Sequence, residues 1–254
     1  MLEIILLGLF LFLILTFFYK QATTEFRINQ LEWAQKDRLT DILAERIPTV
    51  LRGITPLPTF WTQEDVTMRP AYGHVTVFER QGLPEWLAAA DPAAVCPWQP
   101  DHAASIAAAA GLPVWSGRWL DPTALSPLSA LWHRPTYRCW AGARGLAKTV
   151  APWTAYMVTE GEITVSILPE SVSHALPAAW QGCFPADLTQ YDTPFVGELN
   201  FMDIVLRPGT ALFMPAHWFI SWRGLAGKAM PMVCSVEYHT PVSRFAAVLG
   251  NGGA

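Results

Sequence analysis

Six histidines are the first residues in this 254-residue chain whose type could do chemistry. Iron(II) at a facial site takes imidazole and carboxylate donors on one face and leaves the other open. It therefore calls for a His-x-Asp or His-x-Glu pair and a second, distant His. Two residues after the six histidines stand Thr76, Ala104, Pro135, Leu176, Phe219 and Pro241, none of them a carboxylate. Glu237 and His239 would share one face of a strand. That spacing suits an acid/base or metal pair, and a plain surface pair suits it better. His217, in Pro215-Ala216-His217-Trp218, reads as a turn histidine, since a ligand needs partners and none stands nearby in the chain. Cys96, Cys139, Cys183 and Cys234 form no Cys-x-x-Cys pair. They read as small buried hydrophobes rather than a zinc or redox motif or a disulfide framework. No phosphate loop and no Gly-x-Ser-x-Gly elbow is present.

Composition narrows the classes. Hydrophobic residues are 52% of the chain, charged residues 15%, and the formal net charge is −4. That excludes a disordered chain and speaks against a nucleic-acid partner, which would require a basic stripe. Trp86, Trp98, Trp115, Trp119, Trp132 and Trp140 crowd the middle of the sequence. They read as large core residues under irregular loops, with an aromatic docking surface for a partner or lipid headgroups as the rival.

The elements that must hold these residues begin with an apolar run. Leu2 to Tyr19 carries one charge, Glu3, near its end. As a helix its eighteen residues reach about 27 Å, enough for a thin bilayer. Nothing basic precedes it, and Tyr19-Lys20-Gln21-Ala22 is a poor cleavage site, so an uncleaved single-pass anchor is expected rather than a signal peptide. Lys20 and Arg27 follow it, which places the rest of the chain on the cytoplasmic side by the positive-inside rule.

Past the anchor, Leu39, Ile42 and Leu43 mark a short helix with Asp37 as N-cap, stopped by Pro48. Its outer face is Asp37, Asp41 and Glu45. Thr49 to Leu51 and His74 to Phe78 read as strands, and Asp101 to Gly111 as a capped Ala-rich helix. From Lys148 on, short strand-like runs recur: 156–158, 163–168, 204–206, 211–214, 218–222 and 232–238. Gly and Pro punctuate most of them, as in a sandwich, barrel or jelly roll.

Three stretches then carry a family resemblance: Trp140 to Glu170, Asp203 to Trp222, and Arg46-Ile47-Pro48-Thr49-Val50-Leu51-Arg52-Gly53. In order and spacing they resemble the cupin-like JmjC hydroxylases over about residues 25–240, poorly between 85 and 135. The resemblance implies a double-stranded β-helix. It also implies where iron and 2-oxoglutarate would sit: the first His on Lys148, the Asp on Val150, the distal His on Ile220 and the co-substrate's Lys on Ile163. None of these can perform the family's role. Lys148 is instead expected to reach the barrel mouth or pair with Glu160 or Glu162.

The expectation is a mostly β fold, a double-stranded β-helix (jelly roll, cupin-like) with peripheral helices plus one N-terminal transmembrane helix. Residues 1–20 are the anchor and 21–254 the cupin-like domain, with an Ala/Pro/Trp-rich irregular region at about 84–135. The function expected is non-catalytic and cofactor-free, with a structural, assembly or binding role. Its partners are the lipid bilayer and other proteins of a membrane or capsid assembly. The layout resembles membrane-anchored cupin-like proteins of large DNA viruses of algae, and a virion inner membrane or an organellar membrane fits it. The alternative is an iron(II)/2-oxoglutarate hydroxylase with ligands relocated to His217, His239 and Glu237 or Asp203.

Overall fold

β-Branched and aromatic runs in the second half of the chain become strands that alternate between two sheets. A computed structural model describes residues 2–20, 26–55, 59–78, 81–91, 93–119, 133–225 and 227–251. The first half supplies helix α1 (Leu2–Lys20), strand β1 (Asn29–Glu32), α2 (Leu39–Ala44), β2 (Thr49–Arg52) and α3 (Gln63–Met68). A small hairpin of β3 (Thr76–Phe78) and β4 (Gln81–Gly82) follows, then α4 (Leu83–Ala89), α5 (Pro100–Ala110) and α6 (Leu112–Trp119). The second half supplies β5 (Arg134–Ala141), β6 (Arg144–Lys148), β7 (Trp153–Glu160), β8 (Ile163–Leu168), β9 (Met202–Leu206), β10 (Ala211–Pro215), β11 (Phe219–Gly224), β12 (Met232–His239) and α7 (Pro241–Asn251).

The larger sheet runs β1-β2-β10-β7-β12-β5 and the smaller β6-β11-β8-β9. From β5 onward every neighbouring pair is antiparallel. The chain steps large, small, large, small, small, large, small, large. That is the wrapping of an eight-stranded jelly roll, here widened by β2 and β1 beyond β10. The molecule is thus mostly β with peripheral helices, consistent with a cupin-like fold.

Two apolar clusters hold it. The main one fills the barrel and the space beneath the helices, and includes Ile163, Val165, Ile167, Leu212, Ile220 and Trp222. The lesser one, around Leu146, Leu168 and Phe219, lies on the outer side of the small sheet under the 3-10 turns. Trp61, Trp86, Trp98 and Trp140 are all core residues. Edge-to-face contacts at 5.0 Å for Trp86–Trp98 and 6.4 Å for Trp61–Trp98 lock the helical layer together. The Trp61 indole donates to Trp140 O and that of Trp98 to Cys139 O, so these rings bury area without orphaning their N–H groups. The docking-surface reading therefore fails for Trp86, Trp98 and Trp140; Trp119 is exposed, and Trp132 lies outside the described residues.

Several local expectations change. Asp37 does not cap α2, because a 3-10 segment, Trp33–Arg38, runs directly into it. Helix α5 starts one residue early with Pro100 in its first turn and ends on Gly111 at φ +81°, a left-handed stop that glycine takes without strain. The expected helix at the N-terminus is present as α1. Among the described residues, however, no helix is long and apolar enough to cross a membrane. Helix α1 is also not isolated: it packs on α7, with Phe12 and Phe245 ring centroids 5.3 Å apart.

Candidate functional site

The mouth of the barrel, where the resemblance would seat iron, is closed by backbone and hydrocarbon. Lys148 ends β6 directly opposite Phe219 on β11. Opposed residues on an antiparallel pair project to the same side. Phe219 packs at 5.0 Å on Trp180, on the outer side of the small sheet. Lys148 thus faces out, and its Nζ pairs with Glu170 Oε1 at 2.6 Å. This corrects the expected partners. Glu160 accepts from Gln63 N, and Glu162 stands between Arg207 and Lys228 at 3.4 and 3.5 Å.

The next residue ties the mouth shut. Thr149 Oγ1 donates to Pro215 O at 2.6 Å and accepts from Trp218 N at 3.1 Å. The backbone repeats the stitch: Thr149 N donates to Trp218 O, and His217 N to Thr149 O, both at 2.8 Å. Spanning this stitch forces His217 to φ +71°. His217 is buried, with Nδ1 3.9 Å from Glu170 Oε2, the carboxylate already engaged by Lys148. Val150 is half-buried, while Ile220 and Ile163 are buried in the main core. These residues do not fit an iron site: two of the three iron positions, Val150 and Ile220, offer hydrocarbon, the third is a cation turned outward, and the co-substrate position holds Ile163. Among the described residues no group of three His, Cys, Asp or Glu side chains is placed to hold a metal ion. Asp203, offered as a relocated ligand, accepts from Ser166 Oγ at 2.6 Å on the exposed side of β9.

The polar centre lies deeper in the barrel. Register puts Arg138 opposite Ser235, Ser235 opposite Tyr156, and Glu237 opposite Thr154. Across from them, Arg144 on β6 stands opposite Trp222. All these side chains face inward. Glu237 and His239 are therefore not the surface pair expected from sequence. Glu237 Oε1 pairs with Arg138 Nη1, and Glu237 Oε2 lies 3.0 Å from His239 Nε2. Burial pushes the Glu237 carboxyl up, but the His239 hydrogen bond and the Arg138 charge outweigh it and hold the group below its usual range. It is an ionised carboxylate, already committed to a cation.

Arg144 lies on the aromatic wall. Its Cζ is 3.9 Å from the Trp140 ring centroid and 5.5 Å from that of Trp222. Tyr156 meets the same Trp222 ring edge-on at 5.7 Å. The Trp222 indole is used up on Gly142 O at 3.1 Å, which fixes this ring beside the arginine. Burial lowers the Arg144 pKa and raises that of Tyr156, so the site contains a neutral phenol beside a guanidinium that stays protonated. Sequence reasoning missed Arg138, Arg144 and Tyr156. The available signal was a lone arginine in Trp140-Ala-Gly-Ala-Arg144-Gly-Leu-Ala, a charge inside an otherwise apolar run.

No family model matches the sequence, and no curated protein matches it. Among solved structures the chain is similar to the hydroxypropylphosphonic acid epoxidase from S. wedmorenis, at 13% identity over 41% of this chain and 42% of that one, with a TM-score of 0.27. An overlap that small carries no argument. Fold and site are read from the strand order and side chains described above.

Proposed function

We propose that this chain is a non-catalytic, cupin-like binding protein attached to a membrane through α1. One observation carries the first part: the family-equivalent ligand positions are filled by an outward, ion-paired Lys148, a half-buried Val150 and a core Ile220, with Ile163 in the core where the co-substrate's lysine would stand. Membrane attachment rests on the apolar surface of α1. Ile4 is 75% exposed, Phe10 60% and Leu15 59%. Helix α1 is not long and apolar enough to cross a bilayer, so its apolar surface serves attachment rather than crossing. Its basic flank orients the barrel toward the cytoplasmic side.

One observation favours the hydroxylase alternative: Glu237 and His239 do face the barrel interior. Against it, Glu237 is held by Arg138, so recruiting it to a metal would strand a buried cation. The test is metal analysis of the full chain, purified in detergent without oxygen and supplied with iron(II), alongside 2-oxoglutarate turnover. Less than a tenth of an equivalent of iron and no succinate above a heat-killed control is the expected result. Stoichiometric iron or succinate production overturns the non-catalytic reading. Recovery of the chain in the carbonate-soluble fraction overturns the membrane reading.

A further inference from the structure

We propose that the barrel interior is a binding site for a small organic monocarboxylate with a flat apolar body, held by Arg144 and Tyr156 between Trp140 and Trp222. The inference rests on the binding role proposed above and names the ligand class.

Three observations converge on it. First, the Arg144 guanidinium has no hydrogen-bond acceptor among the described residues; its contacts are the two indole faces. A guanidinium stacked on a ring keeps its N–H edge free, the geometry that takes a carboxylate with two parallel hydrogen bonds. Second, protein crowds Arg144 on nearly every side, yet the residue keeps accessible surface, as a group lining a recess does. The Tyr156 hydroxyl lies deep in the barrel and has no hydrogen-bond partner among the described residues. Third, the charges do not cancel: among the described residues Arg138 and Arg144 face Glu237 alone, which leaves positive charge in excess. An uncompensated buried cation is costly, and a bound monoanion removes that cost. The flanking rings of Trp140, Trp222 and Tyr156 favour a planar apolar body on the carboxylate. This place differs from Ile163, where the resemblance would put the co-substrate's lysine.

The cation predicts an unusual combination. Arg144→Met should abolish binding while raising the melting temperature of the ligand-free protein, because the unpaired charge is gone. A guanidinium needed only for packing would give the reverse. The experiment is calorimetric titration and thermal unfolding of the full chain in detergent with benzoate, acetate and inorganic phosphate. Benzoate should bind saturably and raise the melting temperature, acetate should bind at least tenfold more weakly, and phosphate should do neither. Tyr156→Phe should weaken benzoate about tenfold through loss of one hydrogen bond to a charged group, with its fold intact. No saturable benzoate binding, binding that survives in Arg144→Met, or a lower ligand-free melting temperature in that variant overturns the proposal. Iron-dependent turnover would overturn the non-catalytic reading instead, leaving dependence of binding on Arg144 to be judged by itself.

Discussion

Cys139 and Cys234 stand directly opposite each other on β5 and β12, and their sulfurs are 3.4 Å apart. Both are fully buried on the side of the large sheet that faces the helical layer. Burial, with the neighbouring thiol adding to it, pushes the Cys139 pKa well above its ordinary value, and burial pushes Cys96 up to about 12. Alkylation needs the thiolate and access. Native protein treated with a maleimide at neutral pH should take up one adduct quickly, on Cys183, and four after denaturation. Rapid labelling of Cys139 or Cys234 in the native state, read by mass spectrometry, would contradict the buried pairing.

Glu237 links stability to acid. Its folded-state pKa lies below the unfolded carboxylate value of about 4.3. Its contribution is therefore fully present above that value and is lost as pH falls through the lower folded value. Glu237→Gln leaves Arg138 without its anion, and breaking such a partly buried pair costs on the order of 2–4 kcal/mol. The stability gap between wild type and Glu237→Gln should be constant from neutral pH down to about 5 and should narrow below 4. Urea unfolding across that range measures it; a gap that widens in acid would assign the carboxylate a different partner.

Thr149 closes the barrel mouth with one hydroxyl. Thr149→Val keeps the shape but orphans Trp218 N and Pro215 O from that contact. The expected loss is about 1–3 kcal/mol. Because the stitch also holds the β10–β11 turn, amide exchange at Trp218 should accelerate more than exchange in β7. Equal acceleration throughout would mean the hydroxyl serves only global stability.

Gly145 allows two backbones to touch. A Cβ on it would lie 2.0 Å from Gly182 O, and backbone cannot yield as a side-chain tip does. Gly145→Ala should cost at least 3 kcal/mol, or about 10 °C or more in melting temperature for a domain of this size. An Ala variant within 1 kcal/mol of wild type would show that the 180–183 segment moves freely.

The sequence made most of the later strands legible, because 163–168 or 211–214 alternate or run apolar between turn residues. β5 and β6 were not legible. On β5 the inward positions are Arg138 and Trp140 and the outward ones Tyr137 and Cys139, so polar and apolar residues do not sort by face. A strand whose inner face lines a polar recess and whose outer face is covered by α5 has no period-two signal to give. The same inversion hid the site. Family-guided counting pointed to Lys148, which lies opposite the outward Phe219 and pairs with Glu170, while a register shift between β6 and β11 puts Arg144 opposite the inward Trp222. The inward cation is Arg144, four residues earlier, where no motif marks it. Mutual contacts such as Glu237 with Arg138 join strands ninety-nine residues apart in sequence, which no local pattern encodes.

The pairing of β5 with β12 along its whole length has a consequence for engineering. His239 lies opposite Arg134, so the barrel's first and last residues are neighbours, about 5 Å apart at Cα. A short glycine bridge could join them and new ends could be cut elsewhere, for instance in the exposed turn near Tyr191. The jelly roll would then be a circle. The segment before residue 133 would have to stay with the ring, because β2 pairs with β10 and the indoles of Trp61 and Trp98 donate to β5.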